Sequence, residues 1–248
     1  MFSFYKNWRV RRILRGYRIP DALWGSVMHE ERSIRHLADA DLKRLRDLAS
    51  LFLYEKSIES ARGFEITDAM KARIGCLAAL PVLNLGLDYY RPWYSVIVYA
   101  EAFVSRDYYQ DDAGVVHSQP EARAGEAWAR GPVILSWDDV VSARDGYNVV
   151  IHEMAHKLDL LDGVANGYPP IHADMQRRQW TAAFSEAFDN LTANIEAGRG
   201  TGLDEYASTS PAEFFAVASE AFFTSPRVLQ RECPRVYEQL ALYYRQQP

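Results

Sequence analysis

The chain has 248 residues, with 28 Lys and Arg against 33 Asp and Glu for a formal net charge of −5, and is 48% hydrophobic and 25% charged. This balance excludes a disordered, collagen-like or coiled-coil chain. The acid excess argues against a nucleic-acid partner, since a domain that neutralises many phosphates carries a basic surplus. The length fits one large domain or two small ones, either with a core that needs no covalent staples.

Two cysteines, Cys76 and Cys233, give no disulfide framework and suit a reducing compartment, so a cytoplasmic location is expected. The longest apolar stretch, residues 74–87, is interrupted by Pro81, Asn84 and Gly86. It falls short of the ~20 apolar residues that a spanning helix needs, and no membrane partner is expected.

Residues 1–20 hold six basic side chains and no acid, without the apolar region or small-residue cleavage site of a secretion signal. They read as a basic arm packed through Phe2, Phe4, Trp8 and Ile13, with a transit peptide or a membrane-surface arm as the alternative. Residues 40–60 place Leu42, Leu45, Leu48, Leu51, Phe52 and Ile58 on one helical stripe, with Asp39 as N-cap. A second helix begins at Thr67 and ends at Pro81. The β-branched and aromatic run 94–104 and the apolar run 131–137 predict strands, with a third near residues 114–117. Helical spacing returns in 148–163, 173–197, 210–223 and 225–245. The last of these puts Leu229, Val236, Leu240, Leu242 and Tyr243 on a core-covering face. The expected fold is α+β, with helical N- and C-terminal parts around a small central mixed sheet in a single domain over 1–248, residues 1–20 being its basic arm.

The sharpest local signal is His152-Glu153-Met154-Ala155-His156. Two imidazoles at i and i+4 on a helix project from one face and can supply two of the three protein ligands of an open zinc site. Glu153, beside the first, is placed to take a proton from the attacking water. His29, His36, His117 and His172 lack such spacing and read as solvated or singly hydrogen-bonded, with a substrate role considered for His172 alone.

Three carboxylates compete as third ligand. Asp162 lies six residues beyond His156, but the residue halfway is Asp159 rather than a chain-turning Gly. Asp159 and Asp162 therefore read as supporting carboxylates near the helix end. Glu213 is favoured, in the first turn of a helix capped by Ser210 with Pro211 at its first position. Glu220, seven residues later on roughly the same face, is the runner-up. Tyr206 is a candidate oxyanion donor, although by residue type alone a packing role is favoured for it.

Residues 146–163, 205–223 and 131–140 together resemble the Mlc titration factor A family, zinc metallopeptidases whose catalytic core is similar to the peptidase domain of anthrax lethal factor. The likeness runs from about Ala22 onward. It implies a zincin-like, gluzincin-type site with one Zn2+ per chain bound by His152, His156 and Glu213, with Glu153 as general base and Tyr206 stabilising the transition state. It also implies peptide substrates, aminopeptidase-like cleavage and, by analogy with enterobacterial members, binding of the glucose repressor Mlc or an equivalent. A regulatory protein that sequesters a repressor, with zinc mainly structural, is the alternative. In the peptidase reading, 133–137 is the edge strand to which an extended peptide adds, with Trp137 or Trp128 near a side-chain pocket.

Overall fold

The computed structural model describes the backbone of residues 2–101, 103–110, 116–123, 125–127 and 131–248, and the side chains of 8–101 and 131–248. Three helices open the chain: α1 (Phe2–Tyr17), α2 (Asp21–Glu30) and α3 (Asp39–Glu55). The basic segment is thus a helix packed on α3. Ile13 is buried as expected, but Trp8 is 54% exposed, and the side chains of Phe2 and Phe4 lie outside the described residues.

The helix predicted over 40–60 stops at Glu55, because Ser57–Ser60 forms strand β1 and pairs parallel with a strand some 40 residues away. Ile58, expected on the helical stripe, sits in that strand opposite Val96. Asp39 is the first helical residue rather than the cap; Ala38 precedes it without a side-chain bond, so Asp39 contributes first-turn charge instead. Helix α4 (Asp68–Ala79) starts as predicted, with Thr67 Oγ1 accepting the Met70 N–H at 3.2 Å.

The run 94–104 divides between two sheets. β2 (Ser95–Tyr99) joins the main sheet, while β3 (Phe103–Gln110) pairs antiparallel with β4 (Val116–Arg123). The predicted third strand falls on the start of β4, with residues 114 and 115 outside the described set. β5 (Gly125–Ala127) and β6 (Val133–Ser136) complete a mixed sheet of order β1-β2-β6-β5, in which only β5 runs antiparallel. β6 is consequently interior, paired with β2 on one side and β5 on the other, and the edge expected at 133–137 belongs to β5. Trp137 opens helix α5 (Trp137–Val141), partly buried against the core; Trp128 lies outside the described residues.

Helices α6 (Val149–Asp159), α7 (Arg177–Glu196), α8 (Pro211–Thr224), α9 (Pro226–Glu232) and α10 (Pro234–Tyr244) form the second half. The last predicted helix is two, since Pro234 cannot continue α9. Leu229, Val236, Leu240 and Tyr243 are buried, but Leu242 is 53% exposed because it lies off the 236/240/243 stripe.

The sheet contributes Val96, Val98, Val133 and Leu135 to the core, all inaccessible. Against it α6 places Ile151, Met154, Ala155 and Leu158, and α8, packed on α6, adds Phe214, Phe215, Phe222 and Phe223 to the same core. Trp180 and Phe184 stack within α7 with ring centroids 4.3 Å apart, and both rings meet Phe215 of α8, at 6.0 and 6.1 Å, which ties α7 to this layer. Burial of a large side chain stabilises by about 1.5–3 kcal/mol, so these layers fix α6 and α8 as rigid neighbours. Among the described residues no helix is long and apolar enough to cross a membrane.

Candidate metal centre

The two helices that carry the site are each locally determined. Asn148 caps α6, its Oδ1 accepting the Ile151 N–H at 3.1 Å. Ser210 caps α8, its Oγ accepting the Glu213 N–H at 3.2 Å, with Pro211 at the first helical position. Burial of the apolar sides of both helices brings one charged residue of α8 against two imidazoles of α6. His152 Nε2 and His156 Nε2 are 3.1 Å apart. Glu213 Oε2 lies 3.0 Å from His152 Nε2 and 3.3 Å from His156 Nε2.

These three atoms face one another, and the imidazole orientation explains why that needs a cation. His152 Nδ1 is 2.7 Å from Glu220 Oε1. An ionised carboxylate only accepts, so Nδ1 carries the proton and the Nε2 lone pair points into the cluster. The Nε2 atoms of both imidazoles and a carboxylate oxygen then converge. The edge of a tetrahedron with zinc-to-ligand bonds of about 2.0 Å is about 3.3 Å, close to the separations found. The donors fit a metal ion. With protons alone, burial disfavours the charged imidazole of His152, but Glu220 and hydrogen bonds to Glu213 and Glu220 outweigh it and raise its pKa well above the ordinary value. Glu213 is likewise disfavoured by burial, yet hydrogen bonds from His152 and His156 hold it below the usual carboxylate range.

Glu220 is therefore not among the converging ligand atoms but behind His152. Its other oxygen accepts the backbone N–H of Asn148, and the Glu220 side chain is nearly inaccessible. Thr224, one turn on, accepts the Gly146 N–H at 2.9 Å and donates to the Glu220 carbonyl at 2.7 Å. The C-terminal half of α8 thus fixes the entry into α6.

Glu153 is buried, and its Oε2 has no hydrogen-bond partner among the described residues. Burial pushes its pKa up to about 7, against the pull of His152 and His156. A buried, unsatisfied carboxylate beside converging metal donors is poised to accept a proton. Tyr206 sits in a 3-10 turn (Glu205–Ser208) held by Asp204, whose Oδ1 accepts the Tyr206 N–H at 2.9 Å. Its ring centroid is 6.2 Å from that of His152, and the residue is 52% exposed, so it borders the site on the solvent side.

The remaining candidates lie elsewhere. Asp162 is exposed in the turn after α6, accepting the Val164 N–H at 3.3 Å. Asp159 is buried and its Oδ2 accepts the Gly167 N–H at 2.7 Å; burial pushes it up to about 6 despite those backbone bonds. His172 is tied into the C-terminal packing, with Nε2 donating to the Tyr243 carbonyl at 2.8 Å and its ring stacked on Tyr243. Sequence reasoning missed the Asn148 cap and the orienting position of Glu220. An Asn immediately before an apolar helical run, and a seven-residue spacing from Glu213, were the available signals.

The profile of the glucose-regulated metallo-peptidase M90 family matches residues 5–245. The chain belongs to this family. It is also similar to proteins named Mlc titration factor A from Yersinia pestis (strain Pestoides F) and Yersinia pseudotuberculosis (serotype O:3, strain YPIII). Each is 38% identical over 237 residues, covering 92% of this chain and 87% of the relative. Membership in a metallo-peptidase family accords with a His152, His156 and Glu213 cluster whose donor atoms lie within 4.8 Å of one another.

Proposed function

We propose that this chain is a zinc-dependent peptidase of gluzincin type and aminopeptidase-like activity, acting in the cytoplasm as one catalytic domain over residues 1–248. The observation that carries this reading is the convergence of His152 Nε2, His156 Nε2 and Glu213 Oε2 at 3.0–3.3 Å beside the unsatisfied Glu153 carboxylate. His152, His156 and Glu213 would hold the ion, and Glu220 would keep the His152 tautomer that offers Nε2. Zinc, when bound, supplies a Lewis acid that acidifies water and polarises a carbonyl. Glu153 takes the proton of the attacking water and delivers it to the leaving amine. The Tyr206 hydroxyl donates to the oxygen on which negative charge develops. The outer edge of β5 is where an extended peptide can pair through its main chain, next to α6. Free thiols at Cys76 and Cys233 suit a reducing compartment.

The test is hydrolysis of aminoacyl chromogenic substrates and blocked peptides by wild type and Glu153→Gln, with bound zinc measured in both. The variant should retain zinc and lose activity by about 10²–10⁴-fold, the contribution of a positioned general base. Equal activity in the two proteins refutes the assignment.

A second reading rests on the relatives' name: binding of the repressor Mlc, or an equivalent transcription factor, in addition to or in place of catalysis. A pull-down with Glu153→Gln separates the two, since a docking function survives the loss of the base.

A further inference from the structure

We infer that α1 is a docking element for an anionic phospholipid surface, through one exposed stripe made of Trp8, Arg11, Arg12 and Arg15. This revises the expectation that no membrane takes part, and takes up the membrane-surface alternative for the basic arm.

The inward side of α1 is occupied. Ile13 is buried, Val10 and Leu14 are partly so, and the helix packs on α3. Beyond it the Tyr17 ring meets Tyr54 edge-on at 4.9 Å, and Arg18 Nε donates to Asp47 Oδ1 at 2.8 Å. Positions 8, 11, 12 and 15 recur at three- and four-residue spacing and so share the opposite face. All four are exposed. The Arg12 guanidinium carbon lies 5.5 Å from the centroid of the Trp8 ring, so the indole sits within the basic stripe. None of Arg9, Arg11, Arg12 and Arg15 has an ion-pair partner among the described residues.

The charge distribution is lopsided. Residues 1–18 hold six of the 28 basic side chains and none of the 33 acidic ones, leaving 22 against 33 in the rest. Unpaired arginines on a negative body offer phosphate a set of forked donors without competition from local carboxylates. The exposed indole decides which phosphate surface fits. Trp is enriched where an apolar ring meets a polar headgroup layer, and arginines beside it are attracted to anionic lipid. At 16 residues α1 is about 24 Å long, and its arginines exclude a spanning role.

The experiment is co-sedimentation of the full chain with phosphatidylcholine vesicles, with and without phosphatidylglycerol, at low and physiological salt. Binding is expected only where phosphatidylglycerol is present, and it should weaken with salt. At about fivefold per arginine, the triple variant Arg11→Gln/Arg12→Gln/Arg15→Gln should lose about a hundredfold in partitioning. Its thermal midpoint and zinc binding should match wild type, which separates loss of docking from loss of fold. Brominated acyl chains should quench part of the tryptophan emission in wild type and none of it in Trp8→Phe. Equal binding to both vesicle types, or a triple variant that binds like wild type, overturns the inference. So does duplex DNA that, at matched phosphate concentration, captures the chain as tightly as the vesicles do.

Discussion

Glu220→Gln tests the division of labour between the two carboxylates of α8. In the wild type Glu220 accepts two hydrogen bonds, from His152 Nδ1 at 2.7 Å and from the Asn148 N–H, while Glu213 alone faces both Nε2 atoms. A glutamine keeps one acceptor oxygen and turns an NH2 toward the other donor. One buried donor is then left without a partner, at a cost of about 1–3 kcal/mol. If the lost bond is that of His152, the tautomer and ring orientation that present Nε2 are no longer enforced. Removing such an orienting partner lowers metal affinity about 10–100-fold, or about 1.4–2.7 kcal/mol. The assay is equilibrium competition for zinc against a chromophoric chelator, with Glu213→Gln in parallel. Glu220→Gln should still bind zinc, within that range, and Glu213→Gln should bind more weakly still. Wild-type affinity in Glu220→Gln, or a loss larger than that of Glu213→Gln, refutes the reasoning and returns Glu220 to the ligand role.

Tyr206→Phe removes one candidate oxyanion donor and should lower kcat by about 10²–10³-fold with zinc content unchanged; full activity in steady-state assays would remove Tyr206 from the mechanism. Gly167 has φ of 74° and sits where an added Cβ would be 2.3 Å from the Pro211 carbonyl oxygen. Gly167→Ala should therefore cost about 3–5 kcal/mol in chemical denaturation and weaken zinc binding, because Glu213 belongs to the turn that must move; an unchanged midpoint would contradict that packing. Lys56 donates to the carbonyls of Tyr90 and Trp93, and burial pushes its pKa down to about 8, against the pull of Glu55. With the native value below the unfolded one, the unfolded chain binds more protons between pH 8 and 10.5. The stability of wild type relative to Lys56→Met should then rise with pH across that window, by at most about 3 kcal/mol, and be flat below it. Denaturation of both proteins as a function of pH checks the sign.

What the sequence determined alone is what short-range chemistry controls. The i, i+4 histidines, the Ser210-Pro211 start of α8 and the Thr67 start of α4 each depend on residues within one helical turn, and each is found where the pattern puts it. The role proposed for Tyr206 lies outside that range and rests on resemblance. A phenol seven residues before a glutamate carries no local signature.

Tertiary structure decided the rest. Residues 57–60 continue a helical stripe by periodicity, yet form a strand because parallel pairing with residues 95–98 satisfies their backbone. β6 reads like an edge until β5 is seen to cover it. Glu213 and Glu220 are equivalent on the face of an isolated α8. Only the way that helix packs across α6 sends one carboxylate to both Nε2 atoms and the other to Nδ1 of His152 and the amide of Asn148. The proposed ligand and its proposed orienting group differ by which side of one imidazole they approach, and that is fixed by the crossing of two helices whose apolar faces are buried together.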